Sequence, residues 1–323
     1  RVKAQEPQER GRPPADVRLE RWDIAYYQER VKQQRFRIDQ EDLRRYFPTE
    51  AAVRWIMAVS GRLYGIDFRP VDIARWHPEV RYYDVIDTQS GARLDLYPRD
   101  GKFTHAAAFG VRGASRRAER TPISVLVTNF NRSGLNFDEL ETLVHEFGHV
   151  MHGVLSRTRY VAHAGTSVET DFVEAPSQMY EEWARKLEAV KLIRNYCTDC
   201  PEIDAGMMGR LNAARNFGRG IRYARQHLYA SFDMALYAEH PGEALATWRK
   251  MEQATPLGHV PGTAFPGQFD HIIRNYGAGY YGYMWSEVLA LDMLSQYGDN
   301  LMNPAVGRRF RSEILERGGE KSG

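Results

Sequence analysis

The segment LVHEFGHVMH, residues 143–152, concentrates side chains that can bind a metal ion and move protons. It contains three of the ten histidines of the chain, together with one glutamate. Imidazole nitrogens are good ligands for zinc, and a carboxylate beside such a site can act as a general base toward water. The segment therefore raises the hypothesis of a metal site that activates water.

Residues 136–156, which include this segment, have the pattern of an amphipathic helix. Asn136 is a good N-cap residue, and Glu139 follows three positions later as in a capping box. Apolar side chains then recur at intervals of three and four residues from Leu140 to Val154. One face of this helix is therefore expected to be buried.

On such a helix, His145 and His149 are placed to share one ion. A spacing of four residues separates them by about 40° around the axis and about 6 Å along it. This spacing allows both nitrogens to approach one ion at metal–ligand distances of about 2.1 Å. Glu146 points to the adjacent face and is suited to polarising water as a general base.

His152 is the competing histidine on this helix. A pair of His149 and His152 is geometrically possible, but it would leave Glu146 without a role, so we expect His152 to support or pack around the ligands. The longer pattern HExxHxxGxxH is excluded, because it needs a glycine and a histidine where the sequence has His152 and Leu155. Without a third ligand elsewhere, the alternative is a helix whose histidines only line a polar face.

A catalytic site needs a third protein ligand and an open position for water. The next segment offers five candidates: Glu169, Asp171, Glu174, Glu181 and Glu182. Spacing alone does not choose among them. Glu174 is favoured because its neighbours are apolar, a setting where a carboxylate is costly unless paired or metal-bound, and because Pro176 follows closely. Glu181 and Glu182 are expected to lie on a solvated face.

Helical patterns dominate the rest of the chain, with one change of period. A helix is expected at 49–64, beginning with Thr49 as an N-cap type of residue and ending at Gly65. Short β-branched or aromatic segments follow at 80–87, 92–98, 105–111 and 123–130. Helical spacing is found in 19–46, and further helices are expected near 167–196, 207–238, 241–254 and 280–297. We expect a mainly α fold, multi-helical, with a small β-sheet beside the HExxH helix.

Residues 1–18 form a polar lead or linker, and residues 19–323 are expected to form one catalytic domain. Because the first residue is Arg1, we expect the chain to be part of a longer protein. Its only two cysteines, Cys197 and Cys200, are interpreted as reduced thiols near a helix end.

Charge and hydropathy exclude two classes of partner. The formal net charge is +2, and its even spread leaves no basic face for nucleic acid. No apolar run approaches the roughly 18 residues of a membrane span. The expected location is the cytoplasm, with an organellar signal on a missing amino terminus as the alternative.

The segment HIIRNYGAGYYGY, residues 271–283, combines four tyrosines with three glycines. Glycines allow the backbone to bend, and phenols can donate hydrogen bonds to a developing oxyanion. The alternative is an aromatic core segment, which for tyrosines in general is the more common case.

HEFGHVMH, followed by GTSVETDFVEAPSQMYEEW, resembles the thimet oligopeptidase family of zinc metallopeptidases. This family also includes oligopeptidase A, dipeptidyl carboxypeptidase and the mitochondrial intermediate peptidase. The resemblance continues in LDLYPRDGKFTHAAAFG and in PGTAFPGQFDHIIRNYGAGYYGYMWSEV, so it covers nearly all of residues 20–318.

The resemblance implies a single zinc ion held by His145, His149 and Glu174, since the interval between His149 and Glu174 is the one the family uses. Glu146 would be the catalytic base, with His271 and Tyr283 as further catalytic groups. The substrate-binding positions implied by the family are Tyr276, Gly277 and Tyr280. Many members have a Gly-Gly pair where this chain has Arg274 and Asn275, which departs from the pattern of a freely moving loop.

The implied function is hydrolysis of internal bonds in short peptides by metal-activated water, with short peptides as the partners. One alternative is dipeptidyl carboxypeptidase action within the same family. Full-length relatives have an additional amino-terminal helical part that forms the other wall of the substrate channel. A second alternative is therefore a zinc-binding fragment that is inactive without its missing amino-terminal half. A scaffold of this fold without metal is disfavoured by the intact ligand set.

Overall fold

The computed structural model describes residues 19–322, and the predicted polar lead at residues 1–18 lies outside this part of the chain. Helices dominate it, and one small mixed sheet is inserted among them, so the predicted fold class is confirmed. The α-helices of the described residues are α1 (Asp23–Phe36), α2 (Thr49–Tyr64), α3 (Phe137–Val154), α4 (Ala175–Tyr180), α5 (Glu182–Arg185), α6 (Leu187–Val190), α7 (Ala205–Asn216), α8 (Arg219–Leu236), α9 (Ala244–Gln253), α10 (Gly282–Ser295) and α11 (Pro304–Phe310).

The sheet has five strands, of which the last four correspond to the predicted segments. The strands are β1 (Asp67–Val71), β2 (Arg81–Ile86), β3 (Ser90–Asp95), β4 (Ala107–Arg112) and β5 (Ile123–Val127). Their order is β1-β2-β3-β5-β4, and only the pair β3 and β5 is parallel. Helix α3 packs against β3, β4 and β5, so the sheet lies beside the HExxH helix as expected.

Strand β1 was not predicted from the sequence. Its segment DFRPV contains Pro70, which removes a backbone donor and normally argues against a strand interior. The strand lies at the sheet edge and pairs only with β2, where a missing donor is tolerated. Its side chains are exposed or half-buried, so no alternating apolar pattern marks it.

The single helix predicted near 167–196 is wrong. Residues 167–169 are irregular and residues 170–174 form turns. The short helices α4, α5 and α6 follow before a 3₁₀ helix at Lys191–Tyr196. Pro176 lies in the first turn of α4, a position that proline favours because no intrahelical donor is needed there. A helix can therefore begin just before Pro176, but one that started near residue 167 would be broken there.

The predicted helix 207–238 is also interrupted. Gly218 has φ of 80° and separates α7 from α8, because this left-handed conformation cannot continue a right-handed helix. The amino-terminal segment 19–46 contains α1 and then a 3₁₀ helix at Asp42–Arg45.

Helix α2 has the predicted bounds, but its amino-terminal cap is different. Thr49 is the first helical residue, and its hydroxyl donates to the carbonyl of Asn131 at 2.6 Å instead of capping the helix. Gly65 ends the helix with φ of 68°, and its N–H donates to the carbonyl of Gly61. This matches the predicted glycine at the carboxy-terminal end.

The described residues group into two compact units by their contacts. One contains residues 19–39 and Gly209–Met284, with a core of aromatic and aliphatic side chains around Phe232 and Trp248. The other contains Gln40–Met208 and residues 285–322, with the sheet, α2 and α3. The assignment of residues 19–323 to one catalytic domain stays a prediction.

Two further observations concern the cysteines and the hydropathy of the helices. Cys197 and Cys200 are both free thiols, in agreement with the interpretation of the sequence. Within residues 19–322, no helix has both the length and the hydropathy needed to span a bilayer.

Candidate metal centre

Helix α3 begins with the predicted capping box. The side chain of Asn136 accepts a hydrogen bond from the N–H of Glu139 at 2.8 Å, and the Glu139 carboxylate accepts one from the N–H of Asn136 at 2.9 Å. Both satisfy donors that would otherwise be unpaired at a helix end. The apolar stripe of the helix is fully buried, with Leu143 and Phe147 inaccessible to solvent. The capping box and the buried stripe together fix where α3 begins and which of its faces carries His145 and His149.

Two glycines allow other elements to approach α3 closely. A Cβ at Gly148 would lie 2.7 Å from the Cα of Ser177 in α4. A Cβ at Gly153 would lie 2.2 Å from the Oγ of Ser124 in β5. Because Glu174 immediately precedes α4, the close packing at Gly148 brings that carboxylate next to the histidines of α3.

His145, His149 and Glu174 form the one group of potential ligands that could hold a metal ion within residues 19–322. The Oε2 atom of Glu174 lies 3.2 Å from Nε2 of His145 and 3.1 Å from Nε2 of His149. The two imidazole rings are 5.0 Å apart and nearly perpendicular, at 83°. In a tetrahedral site with metal–ligand bonds of about 2.1 Å, two ligand atoms lie about 3.4 Å apart. The distances from Glu174 to the two Nε2 atoms are close to this value, so these atoms are spaced to share one ion.

His149 and His145 hold Glu174 in its ionised form although its side chain is buried. Its side chain is 4% exposed, and Ser177 Oγ donates to its backbone carbonyl at 2.9 Å and lies 3.3 Å from Oε2. Burial alone would raise the pKa of Glu174, but His149 and His145 lower it well below its usual range. Burial would likewise lower the pKa of His145, yet the hydrogen bonds to Glu174 and Glu181 raise it well above its usual value.

Glu181 does not lie on a solvated face, so that expectation was wrong for this residue. Its side chain is 15% exposed, and its Oε1 lies 2.9 Å from Nδ1 of His145. Its other oxygen forms an ion pair with Arg185, a residue that is only 6% exposed. Arg185 also contacts Glu141 at 2.7 Å and pairs with Glu182. Burial alone would lower the pKa of Arg185, but the three carboxylates raise it above its usual range.

Glu182 was expected on the same solvated face, and it is also partly buried, at 19% exposure. The cause is the packing of α5 against α3, which turns this polar stretch toward the helix that carries His145 and His149. Local composition cannot reveal such a contact, because several charged residues in succession usually mark an exposed face. The only signal in the sequence was the arginine four positions after Glu181, at the spacing of a helical ion pair.

Glu146 and His152 occupy different environments on α3. Glu146 is half-buried and lies between the two histidines in sequence. His152 is completely buried, and neither of its ring nitrogens has a hydrogen-bond partner among the described residues. Burial, aided by the nearby His149, lowers the pKa of His152 to about 3. His152 is therefore a neutral packing residue in this structure.

The predicted substrate-contacting residues lie in the other unit, where they are close to one another. The rings of Tyr276 and Tyr283 stack at 4.9 Å, and His271 lies 5.9 Å from Tyr276 and 6.4 Å from Tyr283. Tyr280 is 5.1 Å from Tyr283, and it is largely buried, which raises its pKa to about 12. Gly277 lies against Tyr237, whose hydroxyl would be 2.4 Å from a Cβ at that position.

Comparison with known proteins matches the chain to one family of sequences. The profile of Peptidase family M3 matches residues 2–323. Oligopeptidase A from Salmonella typhimurium is 35% identical over 94% of this chain and 48% of its own length. Thimet-like oligopeptidase from Dictyostelium discoideum is 31% identical over 93% of this chain and 48% of its own length.

A mitochondrial relative has a similar degree of identity. The mitochondrial intermediate peptidase of Arabidopsis thaliana is 31% identical over 96% of this chain and 47% of its own length. The chain therefore spans about half the length of the curated relatives it matches.

Proposed function

The chain belongs to Peptidase family M3, and on this basis we propose that it is the zinc-binding portion of an oligopeptidase that hydrolyses internal bonds of short peptides. The observation that carries the proposal is the convergence of His145, His149 and Glu174, whose donor atoms all lie within 4.8 Å of one another. Two imidazoles and one carboxylate are a ligand set of catalytic zinc sites, in which one coordination position stays open.

When bound, zinc supplies a positive charge that polarises a carbonyl group and lowers the pKa of water toward about 7. The protein contributes the arrangement that places this charge. The three ligands come from α3 and from the residue before α4, and the close packing at Gly148 holds these elements together. A buried, ionised Glu174 balances part of the charge of the ion.

Glu146 acts as the proton carrier in this proposal. Its carboxylate accepts a proton from the attacking water and later passes it to the nitrogen of the leaving amine. Its position on α3, one residue after His145, places it on the face beside the two ligands. Glu146 is half-buried, so part of its side chain is open to solvent.

His271, Tyr276 and Tyr283 contact the peptide and stabilise the developing oxyanion in this proposal, with Tyr280 and Gly277 shaping the loop around it. The clustering of the imidazole and the phenols within one loop supports a joint role. Tyr280 is 8% exposed, so it contributes by packing more than by direct contact.

The proposal is tested by digesting a panel of free and end-blocked peptides of graded length and mapping the products. We expect internal cleavage of short peptides that is abolished by a chelator and restored by zinc. Removal of carboxy-terminal dipeptides alone would replace the endopeptidase assignment with a dipeptidyl carboxypeptidase.

A second candidate follows from the extent of the match. Because the chain spans about half the length of its relatives, the second candidate is a module that binds zinc but does not hydrolyse peptides by itself. Stoichiometric zinc binding without turnover of any peptide in the panel would favour this candidate. Recovery of cleavage when the unmatched half of a relative is added would then confirm it.

A further inference from the structure

The loop that contains His271, Tyr276 and Tyr283 is held by a buried carboxylate on α8. Asp233 is inaccessible to solvent. Its Oδ1 accepts a hydrogen bond from the N–H of Ala278 at 2.9 Å, and its Oδ2 accepts one from the N–H of Tyr280 at 2.9 Å. Both oxygens of one side chain are thus used by backbone donors two residues apart in the same loop.

The backbone between these donors has a conformation that needs support. Ala278 has φ of 55°, in the left-handed region that a residue with a Cβ rarely adopts. A strained conformation of this kind persists only when its surroundings determine it, and it is found often at functional sites. The two hydrogen bonds to Asp233 lie on either side of Ala278 and Gly279 and hold the backbone in this conformation.

A second contact from the same helix fixes the start of the loop. The hydroxyl of Tyr237, one helical turn after Asp233, donates to the carbonyl of Ile272 at 2.5 Å. Gly277 fits closely between these groups, because a Cβ there would lie 2.4 Å from the Tyr237 hydroxyl and 2.8 Å from the Ile272 carbonyl. The end of α8 therefore contacts the loop at positions 272, 277, 278 and 280.

We propose that Asp233 is a positioning residue for peptide binding, which acts by holding the backbone from Tyr276 to Tyr280 and thereby the side chains of the loop. This proposal rests on the proposed function, in which His271, Tyr276 and Tyr283 contact the substrate. The stacked rings of Tyr276 and Tyr283 belong to residues on either side, in sequence, of the segment 278–279 that the two hydrogen bonds flank. Movement of that segment would therefore separate the two phenols.

Asp233→Asn is the most direct variant, because it keeps the size of the side chain and removes one acceptor. Its amide NH₂ would face a backbone N–H, so one of the two hydrogen bonds is lost. The matched control is Glu252→Gln in the same unit. Glu252 is also a buried carboxylate, at 2% exposure, but its partners are Arg21 at 3.0 Å and His259 at 2.5 Å, outside the loop.

The first measurement is hydrogen exchange of the segment 276–283 by mass spectrometry, which needs no enzymatic activity. We expect exchange in this segment to be about 10-fold faster in Asp233→Asn than in the parent protein, and to be unchanged in Glu252→Gln. Equal exchange in the parent and in Asp233→Asn would overturn the proposal. Equal acceleration in both variants would also overturn it, because the effect would then be a general loss of stability.

The second measurement is the affinity for a fluorescent short peptide in the zinc-loaded Glu146→Gln background, so that cleavage does not interfere. We expect Asp233→Asn to weaken this affinity by about 10-fold, and Glu252→Gln to leave it unchanged. Unchanged affinity in Asp233→Asn would overturn the positioning role even if peptide hydrolysis by the parent is confirmed. A parent protein that binds peptide but does not hydrolyse it would contradict the proposed function. In that case, a weaker affinity of Asp233→Asn for the peptide would still support the positioning role.

Discussion

The Oε1 atom of Glu181 lies 2.9 Å from Nδ1 of His145, while Nε2 of the same ring lies 3.2 Å from Glu174. A carboxylate at Nδ1 keeps a proton on that nitrogen, so a metal ion would bind at Nε2, in place of the second proton of the ring. The same contact fixes the orientation of the imidazole ring. Arg185 holds the other oxygen of Glu181, so the orientation of His145 depends on a chain of three side chains.

Removing the charge of Glu181 is expected to weaken metal binding without removing a ligand. Glu181→Gln should lower the affinity for zinc by about 10- to 100-fold, as found when carboxylates that support ligand histidines are replaced. The affinity is measured by competition with a chromophoric chelator. The control is Glu182→Gln, which loses a contact with the same Arg185 but none with His145. Equal affinities of the two variants would contradict this role for Glu181.

Measuring the zinc content of variants distinguishes the proposed catalytic base from the proposed metal ligands. Glu146→Gln should retain about one zinc ion per chain and lose peptide hydrolysis, because it removes only the proton acceptor. His149→Ala should lose zinc, because two protein ligands bind the ion much less tightly than three. Zinc content is determined by atomic emission after dialysis, in parallel with peptide cleavage. An active Glu146→Gln protein would refute the assignment of the base.

Gly148→Ala tests whether the close packing of α3 and α4 positions Glu174. The new Cβ would lie 2.7 Å from the Cα of Ser177, which is backbone and cannot rotate away. The helices must therefore move apart, and we expect the free energy of unfolding to fall by about 1–3 kcal/mol together with the affinity for zinc. The measurements are chemical denaturation and zinc titration.

The control for this variant is Gly209→Ala in α7. A Cβ at Gly209 would meet no other atom within 4 Å, so only the intrinsic helix preference changes. We expect that variant to be more stable by about 0.5–1 kcal/mol. Loss of stability in Gly148→Ala with normal zinc affinity would show that the close contact matters for folding alone.

The parts of the site that lie on one helix were predictable, and the parts that depend on packing were not. The spacing of His145 and His149 and the capping box of α3 follow from helix geometry, which a sequence records directly. The contact of Glu174 with these histidines depends on the approach of α4 to Gly148, and spacing alone left several carboxylates open. That these residues bind metal stays a prediction.

Glu181 illustrates the opposite error. Its polar neighbours predicted exposure, but α5 packs against α3 and turns Glu181 toward His145. The strand β1 was missed for a related reason, since its place in the sheet depends on pairing with β2 and not on its own apolar pattern. In both cases a tertiary contact outweighed the local preference.

Asp95, in the segment LDLYPRDGK, is expected to make stability depend on pH below the neutral range. Its carboxylate is 4% exposed and accepts hydrogen bonds from Trp76 at 3.0 Å and from Arg99 at 2.6 and 2.8 Å, with Lys102 at 2.9 Å. Burial alone would raise the pKa of Asp95, but these donors lower it well below its usual value. The folded protein therefore binds the proton less readily than the unfolded chain, whose aspartates titrate near about 3.9.

The sign of the dependence follows from this difference in pKa. Above about pH 5 both states are ionised at Asp95, and its contribution to stability is fully present. As the pH falls further, the unfolded chain gains a proton first and that contribution is lost. Asp95→Asn should thus be less stable than the parent by about 2–3 kcal/mol at pH 7, with a difference that narrows between about pH 4 and pH 2. Urea denaturation at a series of pH values measures this difference.

Asp42→Asn, which removes an exposed carboxylate paired with Arg45, is the control and should differ from the parent in its free energy of unfolding by less than about 0.5 kcal/mol throughout. A difference for Asp95→Asn that stays constant down to pH 2 would contradict the lowered pKa, because the carboxylate would then titrate alike in the folded and unfolded states.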